Sequence, residues 1–290
     1  YFANDYYSSD IIGGDSIFDK TKHFRLRNTL AMSMLEGFNK WVPMGLKAFV
    51  SHEFRSYSLP DEEGWMKSET DNCISLGGQL QKTLGSMFHY NVQLETYLVG
   101  KRGHKAGDLL LDATGDMNFP LFGDTVSLSA KAFLHREAPS YFYEKYHSKH
   151  FWWDSADGNS LGIQTHSHLE GLLDIAKTRT KLRVAYDNFD HLTYFGNSYE
   201  IDDNFGRKNY KVNVRQSGNV SLLTAQLMQD FKLGPLNLET VLTYQNSSDK
   251  NAVPVPTFNA YANLYLKFKI AKVLNTELGV DGRYFTEYEA

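Results

Sequence analysis

Residues 257–270 alternate without a break: Phe258, Ala260, Ala262, Leu264, Leu266, Phe268 and Ile270 against Asn259, Tyr261, Asn263, Tyr265, Lys267 and Lys269. Successive side chains of a strand point to opposite faces, so such a segment is apolar on one face and polar on the other. Residues 26–34 repeat the pattern. Leu26, Leu30, Met32 and Met34 share one face, and Arg25, Arg27, Thr29 and Ser33 share the other. About a dozen such segments follow one another, which is the pattern of a transmembrane β-barrel wall.

The alternation places strands near 23–36, 44–57, 72–82, 87–99, 106–117, 124–136, 161–176, 180–191, 213–231, 236–246, 257–270 and 274–288. Connections after the odd-numbered strands are short: Gly37–Pro43 with Phe38 and Trp41, Leu84-Gly85-Ser86, Phe119–Gly123 with Phe122, Lys177–Arg179, Gly234-Pro235 and Ala271-Lys272. Those after even-numbered strands are mostly longer and more polar: Pro60–Gly64, the basic Lys101–Lys105, 138–160, 192–212 and Asn251–Pro256. Bacterial barrels have short periplasmic turns and longer extracellular loops. On that orientation both ends of the chain lie outside. The expectation is therefore a single β-barrel domain over 1–290 that is a piece of a longer chain, within a barrel of roughly 14 or more strands.

Composition agrees. No apolar run approaches the roughly 18 residues of a spanning helix, and alternation dilutes hydropathy in a barrel. The 18 Tyr and 19 Phe, against 7 Pro, suit strands and interfacial girdles. A net charge of −4, from 30 basic and 34 acidic residues, lacks the basic footprint of a nucleic-acid binder. Cys73 is the only cysteine, which excludes an intramolecular disulfide and a cysteine-based zinc site. No charged and apolar leader pattern precedes the first strand, so an export signal is expected to have been removed or to lie upstream. A soluble β-sandwich also alternates, but its strands run nearer 5–6 residues, and a Greek key does not sort loops by parity.

The sequence resembles the "putative porin" family of Bacteroidetes outer-membrane proteins. The likeness is carried by FANDYYSSDIIGGDSIFDKTKHFRLRNT near the start, MLEGFNKW at the first turn and EAPSYFYEKYHSKHFWWD at 137–154, and it runs through essentially the whole chain. Family members are longer, so the resemblance also implies missing strands. It implies a pore in the bacterial outer membrane, with no catalytic residues and no particular solute.

On the polar faces, Arg25, Arg27, Lys47, Glu53, Arg55, Glu95, Lys131, His166, His168, Glu170, Asp174, Arg183, Glu239, Lys267, Asp281 and Arg283 are the expected pore lining. Their mixed signs imply weak ion selectivity, because single-sign rings give strong selectivity. The aromatic 138–160 loop offers Tyr143, Glu144, Lys145, His147, Lys149, Trp152, Trp153 and Asp154 as an inward constriction. The same loop reads as a stacking surface for a sugar or partner protein, or as an outer loop packed on the barrel rim and lipid interface.

His166, His168 and Glu170 share one strand face at metal-ligand spacing, yet polar side chains there must face the lumen in any case. His147 and His150 sit in a loop, where their spacing fixes nothing. Asp202-Asp203-Asn204 lacks the EF-hand pattern and reads as a solvated turn. No phosphate loop, H-E-x-x-H helix or G-x-S-x-G elbow occurs. The expectation is a porin-like channel for passive diffusion of small polar solutes, without cofactor, metal or catalysis. Its expected partners are outer-membrane lipid, lipopolysaccharide, the solutes and other outer-membrane proteins, with no nucleic acid. The alternatives are a closed or plugged barrel acting in surface binding or assembly, and third a barrel enzyme using a Ser/His pair.

Overall fold

The computed structural model describes residues 7, 11–12, 19–38, 43–85, 87–121, 123–154, 161–203 and 206–288. Trp41, Ser86, Phe122, Asn204, the 155–160 end of the aromatic loop and much of the family-like segment ahead of Asp19 lie outside the described residues, as does the Asp202 side chain.

The strands are β1 (Lys22–Met34), β2 (Gly45–Pro60), β3 (Met66–Lys82), β4 (Phe88–Val99), β5 (Leu109–Leu121), β6 (Asp124–Glu137), β7 (Lys145–His147), β8 (Trp152–Asp154), β9 (Gln164–Ile175), β10 (Thr180–Asp190), β11 (Thr193–Asp202), β12 (Gly206–Gln216), β13 (Val220–Leu233), β14 (Leu236–Ser247), β15 (Phe258–Ile270) and β16 (Leu274–Phe285). A single helical turn, α1 (Tyr141–Glu144), precedes β7. Twelve strands form one sheet in the order β1-β2-β3-β4-β5-β6-β9-β10-β13-β14-β15-β16, and every neighbouring pair in it is antiparallel. Sheet order thus follows chain order. β7–β8 and β11–β12 are separate hairpins carried on two of the long connections. β1 and β16 are the two edges of the sheet. No helix among the described residues is long and apolar enough to cross a membrane.

Burial is inverted relative to a water-soluble sheet. On the polar face Ser51 is 1%, Glu53 2% and Ser75 2% exposed, whereas on the apolar face Leu30 is 81% and Leu169 62% exposed. A contiguous exposed apolar face over long strands belongs against hydrocarbon, not water. The polar face is the concave one, because side chains from strands well apart in the sheet meet across it.

The structure corrects several sequence expectations. β3 begins at Met66 rather than near 72. Residues 67–71 are polar on both faces, so hydropathy alternation gives no sign of the strand there. The β2–β3 connection is consequently only 61–65, and the expected long loop is instead the paired end of a long hairpin. Phe119-Pro120-Leu121 continue β5 and pair with Val126, Thr125 and Asp124, which leaves the turn at 122–123. Residues 213–216, expected to begin the ninth wall strand, pair with β11, and the wall resumes at Val220. Ser217-Gly218-Asn219 breaks the run between them. Likewise the two long connections are not open throughout their described residues: 145–147 pair with 152–154, and 193–202 with 206–216, as local hairpins.

Candidate functional site: the concave polar face and the segments folded onto it

Directly opposed residues in neighbouring strands project to the same side of a sheet. Arg25 opposes Arg55, Arg27 opposes Glu53, and Ser33 opposes Lys47. Lys131 opposes Glu170, Asp174 opposes Lys181, and Arg183 opposes Gln226. Glu239 opposes Asn263, which opposes Asp281; Lys267 opposes Glu277, and Arg283 opposes Tyr261. Following the register from β1 to β16 puts every charged residue expected to line the pore on this one face, Glu95, His166 and His168 included.

Near β1 the charges form a closed network. Arg25 donates to Glu53 at 2.8 Å, and Arg55 pairs with the other oxygen of Glu53. Arg27 donates to Glu95 at 2.6 Å and to Ser51 at 3.2 Å, and Ser75 donates to Glu95 at 2.6 Å. Burying Glu53 and Glu95 is tolerable because each carboxylate is met by guanidinium or hydroxyl donors. Further along the sheet, Arg183 pairs with Glu170 at 2.5 Å. His166 and His168 both meet Asp187, at 2.8 and 2.7 Å. Phe133 stacks on His135 and His168, with centroids at 4.5 and 4.8 Å. At the far end Tyr265 donates to Glu239 at 2.7 Å, Lys267 pairs with Glu277 at 2.5 Å, and Arg283 lies over the Tyr261 ring.

Two connections fold onto this concave face. The β4–β5 connection turns inward at Gly103, whose φ of +74 favours glycine and where a Cβ would lie 2.5 Å from an Arg55 guanidinium nitrogen. Asp108, fully buried, accepts the Lys105 amide at 2.9 Å and the Ala138 amide at 3.2 Å, tying this connection to the start of the aromatic one. Lys101 and Arg102 offer their amides to Asp71 at 3.1 and 2.9 Å. Two of the basic side chains of 101–105 are paired internally, Arg102 with Glu69 at 2.6 Å and Lys105 with Glu144 at 2.6 Å.

The aromatic segment then covers the outer ends of β2 and β3. Tyr141 stacks on Tyr57 at 4.0 Å and donates to Glu69 at 3.2 Å; burial and the neighbouring Glu69 push its phenol up. Lys145 pairs with Asp154 at 2.7 Å and Glu69 at 3.0 Å. Desolvation alone would lower its ammonium, but these two hydrogen-bonded carboxylates raise it. His147 donates from Nδ1 to the Pro60 carbonyl at 2.8 Å and stacks on Trp152 at 3.6 Å. Its imidazole is pushed down by burial, against the opposing effect of the Pro60 hydrogen bond. Tyr143 packs against Phe195 of β11, Trp153 donates to the Phe142 carbonyl at 3.0 Å, and the Lys149 amide donates to Asp19 at 2.7 Å. The segment does pack at the barrel rim, but not toward lipid: Tyr57, its stacking partner, is on the polar face, opposite His23 and Glu69.

Sequence reasoning missed Asp71, Glu69, Asp108 and Asp187. Glu69 and Asp71 fell in the unrecognised start of β3. Asp187 was legible from its inward parity on β10. Asp108 acts only through a fold-back whose one local sign is glycine at 103 and 107, both at positive φ.

A curled antiparallel wall, polar within and apolar without, defines an outer-membrane β-barrel. The chain belongs to the family described as "Putative porin", whose profile matches residues 1–290. Solved structures share the fold. The siderophore receptor PirA from Pseudomonas aeruginosa matches with a TM-score of 0.60 at 12% identity, over 92% of this chain and 49% of the receptor. PirA from Acinetobacter baumannii matches at 0.57 and 9% identity, over 87% and 41%. The ferric enterobactin receptor PfeA, in complex with BCV-L6, matches at 0.58 and 10% identity, over 92% and 42%. The chain thus spans about half or less of the length of these receptors. No curated protein matches it. Family and fold together place the protein in the bacterial outer membrane.

Proposed function

We propose that the chain forms the wall of a porin-like channel through which small polar solutes diffuse passively, without a catalytic step. The observation that carries this reading is the concave face itself. It is lined along the sheet by charges of both signs, most of them paired across strands, while the opposite face is apolar and exposed. A wet lumen is the environment such a face requires. Outer-membrane lipid and lipopolysaccharide are the proposed surroundings of the apolar face. The paired charges favour weak selectivity between cations and anions. The inward 100–108 and 138–154 segments are the proposed constriction. The neighbouring receptors are named for a siderophore and for ferric enterobactin; their likeness supports a barrel wall, and the solute class is argued here from this chain's own lumen.

The same inward segments favour a second reading, a barrel whose outer mouth is plugged and which serves surface binding or assembly. They bury Tyr57, Tyr141 and Arg55 at the mouth. Planar-bilayer recording and liposome swelling on the full-length protein separate the two. Discrete conductance steps with swelling in small sugars are expected for the channel. A well-folded protein that gives neither would leave the plugged barrel.

A further inference from the structure

The apolar face of the wall carries a depression of about 560 Å³, walled by Met32, Leu46, Leu80, Val92 and Leu94 among others. Its floor is Ala48 and Gly78, which oppose each other across β2 and β3. Met32 opposes Ala48 and Leu94 opposes Gly78, so two small residues lie between two long ones. The neighbouring Gly77 serves the interior, because a Cβ there would run into the Phe49 ring. Gly78 serves no such packing: a Cβ there would meet only the Lys47 carbonyl oxygen, at 3.6 Å. Glycine inside a strand weakens it and often marks the close approach of another group. Here the space that it leaves opens outward.

The depression sits near Gly45, where β2 begins, in the half of the wall next to the short turns. Short turns are periplasmic in bacterial barrels, so it faces the periplasmic leaflet. Two rows nearer the turn, Lys82 opposes Tyr90 on the same face. Lys82 is the one Asp, Glu, Lys or Arg on the apolar face of β2, β3 and β4. Among the described residues no carboxylate forms an ion pair with it. Glu36, the carboxylate at this turn, is taken by the Thr83 amide and hydroxyl at 2.7 and 3.1 Å and by the Leu84 amide at 3.1 Å. The Tyr90 hydroxyl donates across β3 to Met44 Sδ at 3.8 Å, which sets an aromatic side chain at headgroup level. From Lys82 to Gly78 is about 13 Å along the strand, within the length of one acyl chain.

We propose that this depression seats one acyl chain of an anionic phospholipid of the periplasmic leaflet, with the phosphate beside Lys82 and Tyr90. The apolar walls accept hydrocarbon, and the unpaired ammonium at the headgroup level favours negative charge. Lipopolysaccharide belongs to the opposite leaflet, and polar solutes belong to the opposite face. The site rests on the outer-membrane placement and not on conductance, so it stands or falls separately from the channel reading.

Native mass spectrometry of the detergent-solubilised full-length protein tests this. The probes are dioleoylphosphatidylglycerol, dioleoylphosphatidylethanolamine and lipid A. One phosphatidylglycerol is expected to be held about threefold more tightly than phosphatidylethanolamine, and Lys82→Gln should erase that preference. Gly78→Leu fills the depression and should weaken retention of both phospholipids about threefold or more. Gly171→Leu, at an open glycine on the same face of β9, should leave retention unchanged. No retained phospholipid, no preference for phosphatidylglycerol, or a preference that survives Lys82→Gln would overturn the proposal. Unchanged retention in Gly78→Leu, or equal loss in Gly171→Leu, would do the same. Tighter retention of lipid A would move the site to the other leaflet, and a dimer that Gly78→Leu dissociates would give it to a second copy; either result also overturns the proposal.

Discussion

Arg27 on β1 donates to Glu95 on β4 at 2.6 Å, across the two strands that separate them in the sheet. In a flat sheet those strands would stand three spacings apart, about 14 Å. The contact therefore reports the curl of the wall as well as a local pair, and Ser51 and Ser75 from the intervening strands complete it.

Glu95→Ala should cost stability through this contact. Glu95 is nearly buried and Arg27 is about one-third exposed, so the loss is expected at the low end for a broken buried pair, about 1–3 kcal/mol. Urea unfolding of the full-length protein in lipid vesicles measures it. A Glu95→Ala protein as stable as the wild type would mean that the β1–β4 contact does not hold the curl.

Face assignment is tested by a matched pair on β15. Leu264 is on the exposed apolar face and Asn263 on the concave one. Leu264→Arg should cost about 2–4 kcal/mol at mid-membrane depth, and Asn263→Arg much less. Folded yield in vesicles reads the difference, and equal loss at both positions would reverse the faces.

Gly103→Val should unseat the β4–β5 connection. A side chain there meets both a strained φ of +74 and the Arg55 guanidinium. The expected cost is about 1–3 kcal/mol, with faster proteolysis between 100 and 108 while the wall stays folded. Proteolysis at the wild-type rate would contradict the inward seat.

Lys145→Ala removes the ammonium that joins Glu69 to Asp154. Each lost charged hydrogen bond is worth about 1.5–3 kcal/mol, which should loosen the inward segment. If that segment narrows the channel, single-channel conductance of the full-length protein rises. Conductance identical to wild type would place the constriction elsewhere.

The seat of β7 should weaken in acid. The His147 imidazole is held below its ordinary 6.5, so below that pH the unlocked segment takes up a proton that the packed one resists. The contribution is thus complete above about 6.5 and declines as pH falls below it. Trp152, stacked on His147, provides a fluorescence readout, and His147→Gln should flatten the acid limb. An acid limb that persists in His147→Gln would assign it to another group.

The sequence by itself determined which residues share the polar, concave face. Strand parity is local: once 257–270 alternates, the side of Lys267 follows from that of Leu266, and the same holds from Arg25 to Arg283. It also carried the family likeness and the order of the wall strands. Tertiary structure alone decided what those faces meet. Arg27 finds Glu95 at a separation of 68 residues, and Lys145 finds Glu69 at 76, through sheet curvature and loop fold-back that no local pattern encodes. The start of β3 and the hairpins β7–β8 and β11–β12 stayed hidden for a related reason. Above the membrane both faces of a strand are polar or packed against other segments, so the hydropathy contrast that marks a strand inside the bilayer is gone.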